Sequence, residues 1–460
     1  MRSEYLIICF CLAAFSLKGQ YKFTLPLAIE YATEHSTLIE MDKLNIMDAQ
    51  KRVKEFKAFG LPQLDLGVDY AYYFLRPTSP TEDFISPAVF GILNEFVFDS
   101  PVDPGPPETF NIAFLRRNNL TGYANFRALL FDGVFLKGLK AAKASIDVER
   151  SRSKLTEREI AVQVKQAYLA VLIAKENQKI IKSNITSLER LLFEITETYK
   201  AGFAEKLDVT RLSLSLENLK VEDENLNELV ELSKNILKFQ MNFPLDLEIA
   251  LLDELEVLLN KVEIESTVYL TEESIDYTNR PEVELLEKAI ELDELDIDRL
   301  GLRLPVLRAN VNLQESLQRD KLFNKNEPGF IPGGFVGLNL SYSIFDGGEK
   351  SAQRQRSIIR KEQKFLELEE FKRGMYLQAT NAQRQVTNAK RTLKNRRSIL
   401  DLAEEVYTTA KIKFREGVGS SLEINQSETA LYQAQADLIA AMYDVILAKT
   451  DLDIALGNIK

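Results

Sequence analysis

The chain is poor in the side chains from which reactive centres are built. It has two cysteines, one histidine and no tryptophan in 460 residues. Both cysteines, Cys9 and Cys11, fall in the apolar run at 5–17 behind Arg2, which reads as the core of a cleavable secretory signal over residues 1–19. That run is shorter than the ~20 residues a membrane-spanning helix needs. Neither cysteine follows a Leu-small-small-Cys lipidation pattern. The mature chain is therefore expected to have no disulfide framework and no thiol chemistry. His35, in the first helical stretch, reads as a surface or packing residue, and without cysteine it cannot build a zinc or copper site from preferred ligands. No other stretch reaches 18 apolar residues, so no transmembrane helix is expected. The net charge of −11 disfavours a nucleic-acid partner. Gly417-Val-Gly-Ser-Ser lacks the lysine and preceding strand of a phosphate loop, and no nucleophile stands near a base. No enzyme, cofactor or metal is expected.

Proline is scarce where it matters. Seven of the 14 prolines crowd between Pro77 and Pro107, and none occurs at 108–243 or 333–460. Such stretches permit long helices, because an interior proline costs roughly 3 kcal/mol. Within them Ile181, Ile185, Leu188, Leu192, Ile195 and Tyr199 alternate spacings of four and three. So do Ala434, Leu438, Ala441, Val445, Ala448, Leu452 and Ala455. This is the seam of coiled-coil packing.

What is present is present twice. LFDG at 130–133 recurs as IFDG at 344–347, and LPQL at 61–64 recurs as LPVL at 304–307. Tyr199-Lys-Ala-Gly202 recurs as Phe414-Arg-Glu-Gly417, and Leu207-Asp208-Val recurs as Leu422-Glu423-Ile. Four landmarks in one order imply a duplicated half-domain, far longer than a solenoid repeat. Apolar residues alternate with polar or small ones over 64–74, 120–130, 307–314 and 336–344. Period two predicts four strands, at 61–75, 118–131, 304–317 and 334–345. Their length suits either a tilted membrane strand or a soluble half-buried hairpin. The secretory signal favours the membrane.

Four strands cannot close a barrel, and lipid does not tolerate an open edge. Other copies must supply strands, eight in all for a dimer or twelve for a trimer. The expected organisation is a first repeat at 20–243, an equatorial linker at 244–278 and a second repeat at 279–460. Long helices are expected at 134–199 and 347–414, and return helices at 207–242 and 421–456. Shorter helices at about 24–60 and 279–303 complete four helical lines for four strands. Each FDG sits between a strand and a helix, where Asp132 and Asp346 cap the helix and Gly133 and Gly347 allow the change of direction.

This ordered set resembles the TolC-type outer-membrane efflux protein family. Arg280-Pro281-Glu282 and the terminal Ala455-Leu456-Gly457 are similar to further family motifs. The resemblance covers nearly the whole mature chain. It implies a mainly α fold with a small β part: a homotrimer with a twelve-stranded β-barrel in the outer membrane, continued by an α-helical periplasmic tunnel. It implies a passive exit duct for tripartite efflux or type I secretion, docked on a periplasmic adaptor and, through it, an inner-membrane pump. It places the periplasmic aperture at Tyr199, Gly202, Leu207 and Asp208 and at Phe414, Gly417, Leu422 and Glu423. The family's best-known member latches its tip with a Tyr–Asp–Arg network. Here Phe414 lacks the hydroxyl and Gly419 replaces the arginine, so a hydrophobic plug or another arrangement is expected. Repeated threefold, Asp208 and Glu423 would form acidic rings that favour cations; otherwise each is a solvated carboxylate at a helix start. The loop at 76–116, with Phe84, Phe90, Phe96 and Phe98, would face outside. A soluble periplasmic coiled-coil scaffold with a β-hairpin cap is the alternative reading.

Overall fold

The computed structural model describes residues 21–83, 85–97, 100, 102–103, 105–106, 109–113, 115–264, 275–323 and 329–458. The expected signal, Phe84 and Phe98 lie outside the described residues. In chain order the elements are β1 (Tyr21–Phe23), α1 (Leu25–His35), α2 (Thr37–Ala58), β2 (Gln63–Tyr72), β3 (Ser79–Glu82), α3 (Ile85–Phe96), β4 (Thr109–Ile112), β5 (Asn118–Asp132), α4 (Gly133–Lys200) and α5 (Lys206–Gln240). There follow β6 (Ile249–Leu251), α6 (Leu255–Ile264), α7 (Pro281–Gly301), β7 (Val306–Arg319), β8 (Ile331–Ser341), α8 (Glu349–Arg415) and α9 (Ser421–Ala455). The chain divides into a unit made of residues up to Gln50, Ala144–Glu294 and Ile358 onward, and a second made of Lys51–Lys143 and Leu295–Ser357.

The second unit holds a four-stranded antiparallel sheet in the order β2-β5-β7-β8. Strand alternation gives it two unlike faces. Leu66, Val68, Ala124, Leu313, Val336 and Leu338 fall on one, by register across the four strands. This face is bare at its edges, where Leu66 is 77% and Val336 79% exposed. The other face is polar and internally bonded. Arg127 pairs with Asp65, Asn312 donates to Asn125, and Thr121 donates to Ser316 at 3.2 Å. A bulge between Leu129 and Phe131 shifts the register near the base. β8 begins at Ile331 and ends at Ser341, ahead of the expected 334–345. Pro332 fits because β8 is an edge strand of the described sheet, where a missing N–H costs no ladder bond. The 76–116 stretch has more structure than a loop: β3 pairs with β4, and α3 lies between them.

The first unit is helical. Its largest core gathers Tyr168, Leu237, Ile249, Leu259 and Val445, all fully buried. The small sheet of β1 with β6 is parallel and was not expected. The Tyr168 hydroxyl sits 3.0 Å from the Phe23 carbonyl and 2.8 Å from Asp253 Oδ2, and Asp253 also accepts the Leu25 N–H at 2.7 Å. Residues 244–264, the described part of the expected 244–278 linker before Ile275, are thus built into the core through β6 and α6. The single N-terminal helix expected over about 24–60 is two helices. The chain turns extended at Ser36 (ψ 127°), Asn242 donates to the His35 carbonyl at 2.7 Å, and Ser36 Oγ accepts the Leu38 N–H at 3.2 Å. The seams bury as alternating heptads do, with Leu188, Ile195, Ala434, Ala441, Val445 and Ala455 inside. Leu191 is fully buried, with Leu192 only partly so.

Candidate functional site

The two helical turns at 200–206 and 415–421 are built alike. In the first, the Gly202 N–H donates to the Tyr199 carbonyl at 2.9 Å and the Phe203 N–H to Thr198 at 3.0 Å. In the second, Gly417 donates to Phe414 at 3.1 Å and Val418 to Lys413 at 3.0 Å. Gly202 (φ 84°) and Gly417 (φ 75°) take the left-handed conformation that ends a helix and satisfies its last carbonyls. The return helices are capped differently. Asp208 reaches back so that its Oδ2 accepts the Glu205 N–H at 3.2 Å, whereas Ser420 Oγ accepts the Glu423 N–H at 3.3 Å.

The eight residues expected at the aperture divide into two sets. Tyr199, Leu207, Leu422 and Glu423 are exposed, as are Gly202 and Gly417, and Asp208 is half-buried. Phe414 turns inward onto an apolar cluster of Leu188, Leu191, Ile195, Leu212 and Ile424. Glu423 lines an open groove between α8 and α9 together with Leu402, Val406, Lys413 and Gln426, so a cation shares its surroundings. Gly419 has its own reason. A Cβ there would lie 2.9 Å from the Phe414 nitrogen and 3.1 Å from the Lys413 carbonyl carbon, so the turn closes only over a hydrogen.

Polar links that motif reading missed hold the four helices near these turns. Arg415, next to Phe414, pairs with Glu194 and joins α8 to α4. Arg211 donates to Ser421 at 3.1 Å and joins α5 to α9. Deeper, Glu428 is 1% exposed and accepts from the Tyr432 hydroxyl on its own helix and from Ser215 of α5 at 3.2 Å. Burial pushes its carboxyl above the usual range, against the pull of those two hydrogen bonds. Burial beside Glu428 likewise raises the Tyr407 phenol. The Glu428–Tyr432 spacing of four on an otherwise apolar seam was the available signal.

The two FDG turns are not equivalent. Asp132 Oδ1 accepts the Val134 and Phe135 N–H groups at 2.9 and 3.0 Å and caps α4 directly. Gly133 is the first helical residue without a positive φ, and a Cβ there would meet Leu304 Cδ1 at 2.3 Å, so close packing is its requirement. Asp346 instead accepts the Gly348 N–H at 3.1 Å, Gly347 and Gly348 have φ of 65° and 87°, and α8 starts at Glu349 rather than 347.

The Arg-Pro-Glu motif also gains a role. Arg158 makes a bidentate pair with Glu282, Arg280 reaches both oxygens of the same carboxylate at 3.2 Å, and Arg280 donates to the Ile454 carbonyl. Gly457 takes a left-handed φ of 72° that favours glycine, and a Cβ there would sit a tight 3.2 Å from Arg280 Cδ and the Asn279 carbonyl oxygen. The two terminal motifs are thus one contact, tying α4, α7 and the end of α9 together.

Residues 306–458, β7 through α9, match the sequence model of the family of outer membrane efflux proteins. The alkaline protease secretion protein AprF of Pseudomonas aeruginosa is 22% identical over 316 residues, 67% of this chain and 63% of AprF. The chain therefore matches less than two thirds of that relative's length. Solved structures align over 94% of the chain. They include the outer membrane protein VceC of Vibrio cholerae (TM-score 0.64, 16% identity, 96% of that chain) and CusC (0.69, 14%, 91%). The MtrE outer membrane channel of Neisseria gonorrhoeae, in its open state, aligns with a TM-score of 0.67 at 15% identity over 88% of that chain. The chain has the fold of these TolC-type outer-membrane channels, and residues 306–458 carry the sequence signature of outer membrane efflux proteins.

Proposed function

We propose that this protein is a passive outer-membrane exit duct of a tripartite efflux or type I secretion system. Three copies close one twelve-stranded barrel that continues as an α-helical tunnel, and the tunnel receives substrate from a periplasmic adaptor and an inner-membrane pump. The observation that carries this reading is the two-faced sheet with bare edges. β2 and β8 each pair on one side only among the described residues, and an apolar face with residues up to 79% exposed has no covering layer. In lipid that face is solvated, and unpaired edges are closed by neighbouring copies. Strand directions alternate across β2, β5, β7 and β8, so β8 of one copy would meet β2 of the next antiparallel, as an even barrel requires. The polar ladder of Asp65–Arg127, Asn125–Asn312 and Thr121–Ser316 then faces the pore.

The turns at 199–208 and 414–423 form the periplasmic aperture, with Phe414 anchored in apolar packing and the Arg415–Glu194 pair in place of a tyrosine latch. Transport is not catalysed by the duct; the pump supplies the energy. A soluble coiled-coil scaffold would not leave Leu66 and Val336 bare. Planar-bilayer recording after mass determination in detergent tests the reading. A threefold mass with discrete conductance supports it, and a detergent-independent monomer that conducts nothing overturns it.

A further inference from the structure

We propose that opposite charge on α8 of one copy and α5 of the next joins neighbouring copies in the trimer and sets their register along the helices. This rests on the trimer reading above and names the surfaces that meet.

Side-chain contacts put α5 and α8 on opposite sides of the first unit. Gln178 of α4 donates to Asn227 of α5 at 3.3 Å, and Asn184 of α4 donates to Gln435 of α9 at 2.8 Å. Arg211 and Ser215 of α5 donate to Ser421 and Glu428 of α9. Arg396 of α8 pairs with Asp437 of α9 at 2.8 Å, and Arg415 of α8 pairs with Glu194 of α4. So α4 and α9 touch each other, and α5 and α8 each touch both. Helices packed at 8–10 Å can share such a pair only from its two opposite sides. Copies set side by side through these flanks meet α8 to α5, in antiparallel directions.

The flanks carry opposite sign at one height. Residues 371–400 of α8 contain eight Lys or Arg and no Asp or Glu, in a chain of net charge −11. Residues 221–233 of α5 contain five Asp or Glu and no Lys or Arg. Lys394 lies 21 residues before the end of α8 and Glu228 lies 22 residues after the start of α5, so both stand about 32 Å from the helical turns. Part of each run is used inside the chain, by Arg396 with Asp437 and by Glu231 with Lys234 at 2.6 Å. Arg384, Arg391 and Lys394 on α8 and Glu222, Glu224 and Glu228 on α5 are exposed and make none of the ion pairs among the described residues. Val221, Leu229 and Leu232 stand exposed among the acids, which a merely solvated charged face has no use for. Lys and Arg suit such a surface, because their stems cover apolar residues while their heads reach carboxylates. Charges bordering a helix seam select the partner and its register. A second copy is the fitting occupant, since both complementary runs lie on one chain at one height.

The test uses the full mature chain in non-ionic detergent. The temperature at which the trimer falls to monomer is measured at low ionic strength and at about 1 M salt, where the screening length is ~3 Å. Arg391→Glu with Lys394→Glu sets like charges against α5, and Glu222→Lys with Glu228→Lys does so against α8. Either pair should lower the dissociation temperature by about 5 °C at low ionic strength and by much less in high salt. All four changes together reverse both flanks and should return the temperature to near the wild-type value. Circular dichroism checks that helix content is kept. If one pair unfolds the chain, the other pair and the fourfold variant decide. Folded pairs that dissociate as wild type does, or four changes whose effects add instead of cancelling, would overturn the inference. A wild-type trimer indifferent to salt and to both pairs defeats this inference alone, whereas a wild-type monomer defeats the trimer reading and this with it.

Discussion

Replacing Glu282 tests the packing argument most sharply. Its carboxylate is shared by Arg158 and Arg280, whose side chains are 8% and 4% exposed, and it is 20% exposed itself. Glu282→Gln keeps the shape and one acceptor but leaves two buried guanidinium groups facing each other without a counter-charge. Breaking a buried pair in this way costs about 3–5 kcal/mol, and the residual exposure of Glu282 puts the expectation at the lower end, about 3 kcal/mol. The exposed pair Lys288–Glu291 is the control, and its loss should cost under about 0.5 kcal/mol. Unfolding followed by helical circular dichroism in detergent measures both. The pH dependence adds a second readout. Burial raises the Glu282 carboxyl, but Arg158 and then Arg280 outweigh it, so its folded-state value is depressed. The stability it contributes is therefore present above the ordinary carboxyl value of about 4.3 and is lost as pH falls through the lower folded value. Wild type should lose this contribution on acidification and Glu282→Gln should have none to lose. A variant within about 0.5 kcal/mol of wild type at neutral pH, indistinguishable from the surface control, would refute the reasoning.

Glu428 has the opposite sign. Its folded value is raised, so the packed state loses stability as pH rises from about 4.3 through that value. Glu428→Gln should stabilise the fold by about 1 kcal/mol at neutral pH and flatten the pH profile there; a loss of stability would contradict this. Gly419→Ala should destabilise the 415–421 turn by about 1–3 kcal/mol, because its Cβ meets backbone rather than a flexible side chain. Faster limited proteolysis at that turn would report it, and unchanged cleavage would count against the geometry. Glu423→Gln should lower cation selectivity in bilayer recordings if a threefold acidic ring forms at the aperture. Unchanged selectivity would leave Glu423 as a solvated helix-start carboxylate.

The long helices were legible because two proline-free stretches carry sustained three-four spacing, and the sheet because its two faces differ in polarity residue by residue. Features that depend on distant partners were not. β1 and β6 are three residues each, too short to show a period, and their place is set by Tyr168 and Asp253 from elsewhere in the chain. The break at Ser36 needed the Asn242 side chain from the end of α5. At the 200–206 and 415–421 turns, the turn residues could be read because the glycines and carboxylates repeat at a fixed offset. The links that hold the turns could not, since Arg415–Glu194 and Arg211–Ser421 pair residues more than 200 positions apart. At Gly133 close packing replaces the expected change of direction, and the Leu304 methyl that excludes a side chain there lies 171 positions away in the sequence.

The central claim is that the free edges of β2 and β8 are joined between three copies. Both cysteines of the chain lie at positions 9 and 11 in the expected signal, so introduced cysteines stand alone in the mature protein. Leu66→Cys on β2, combined in turn with cysteine at Val336, Leu338 or Leu340 on β8, should give for at least one pairing an oxidised ladder that stops at three chains and collapses on reduction. A ladder that never passes the monomer for any pairing, or one that runs beyond three, would contradict the closed twelve-stranded barrel.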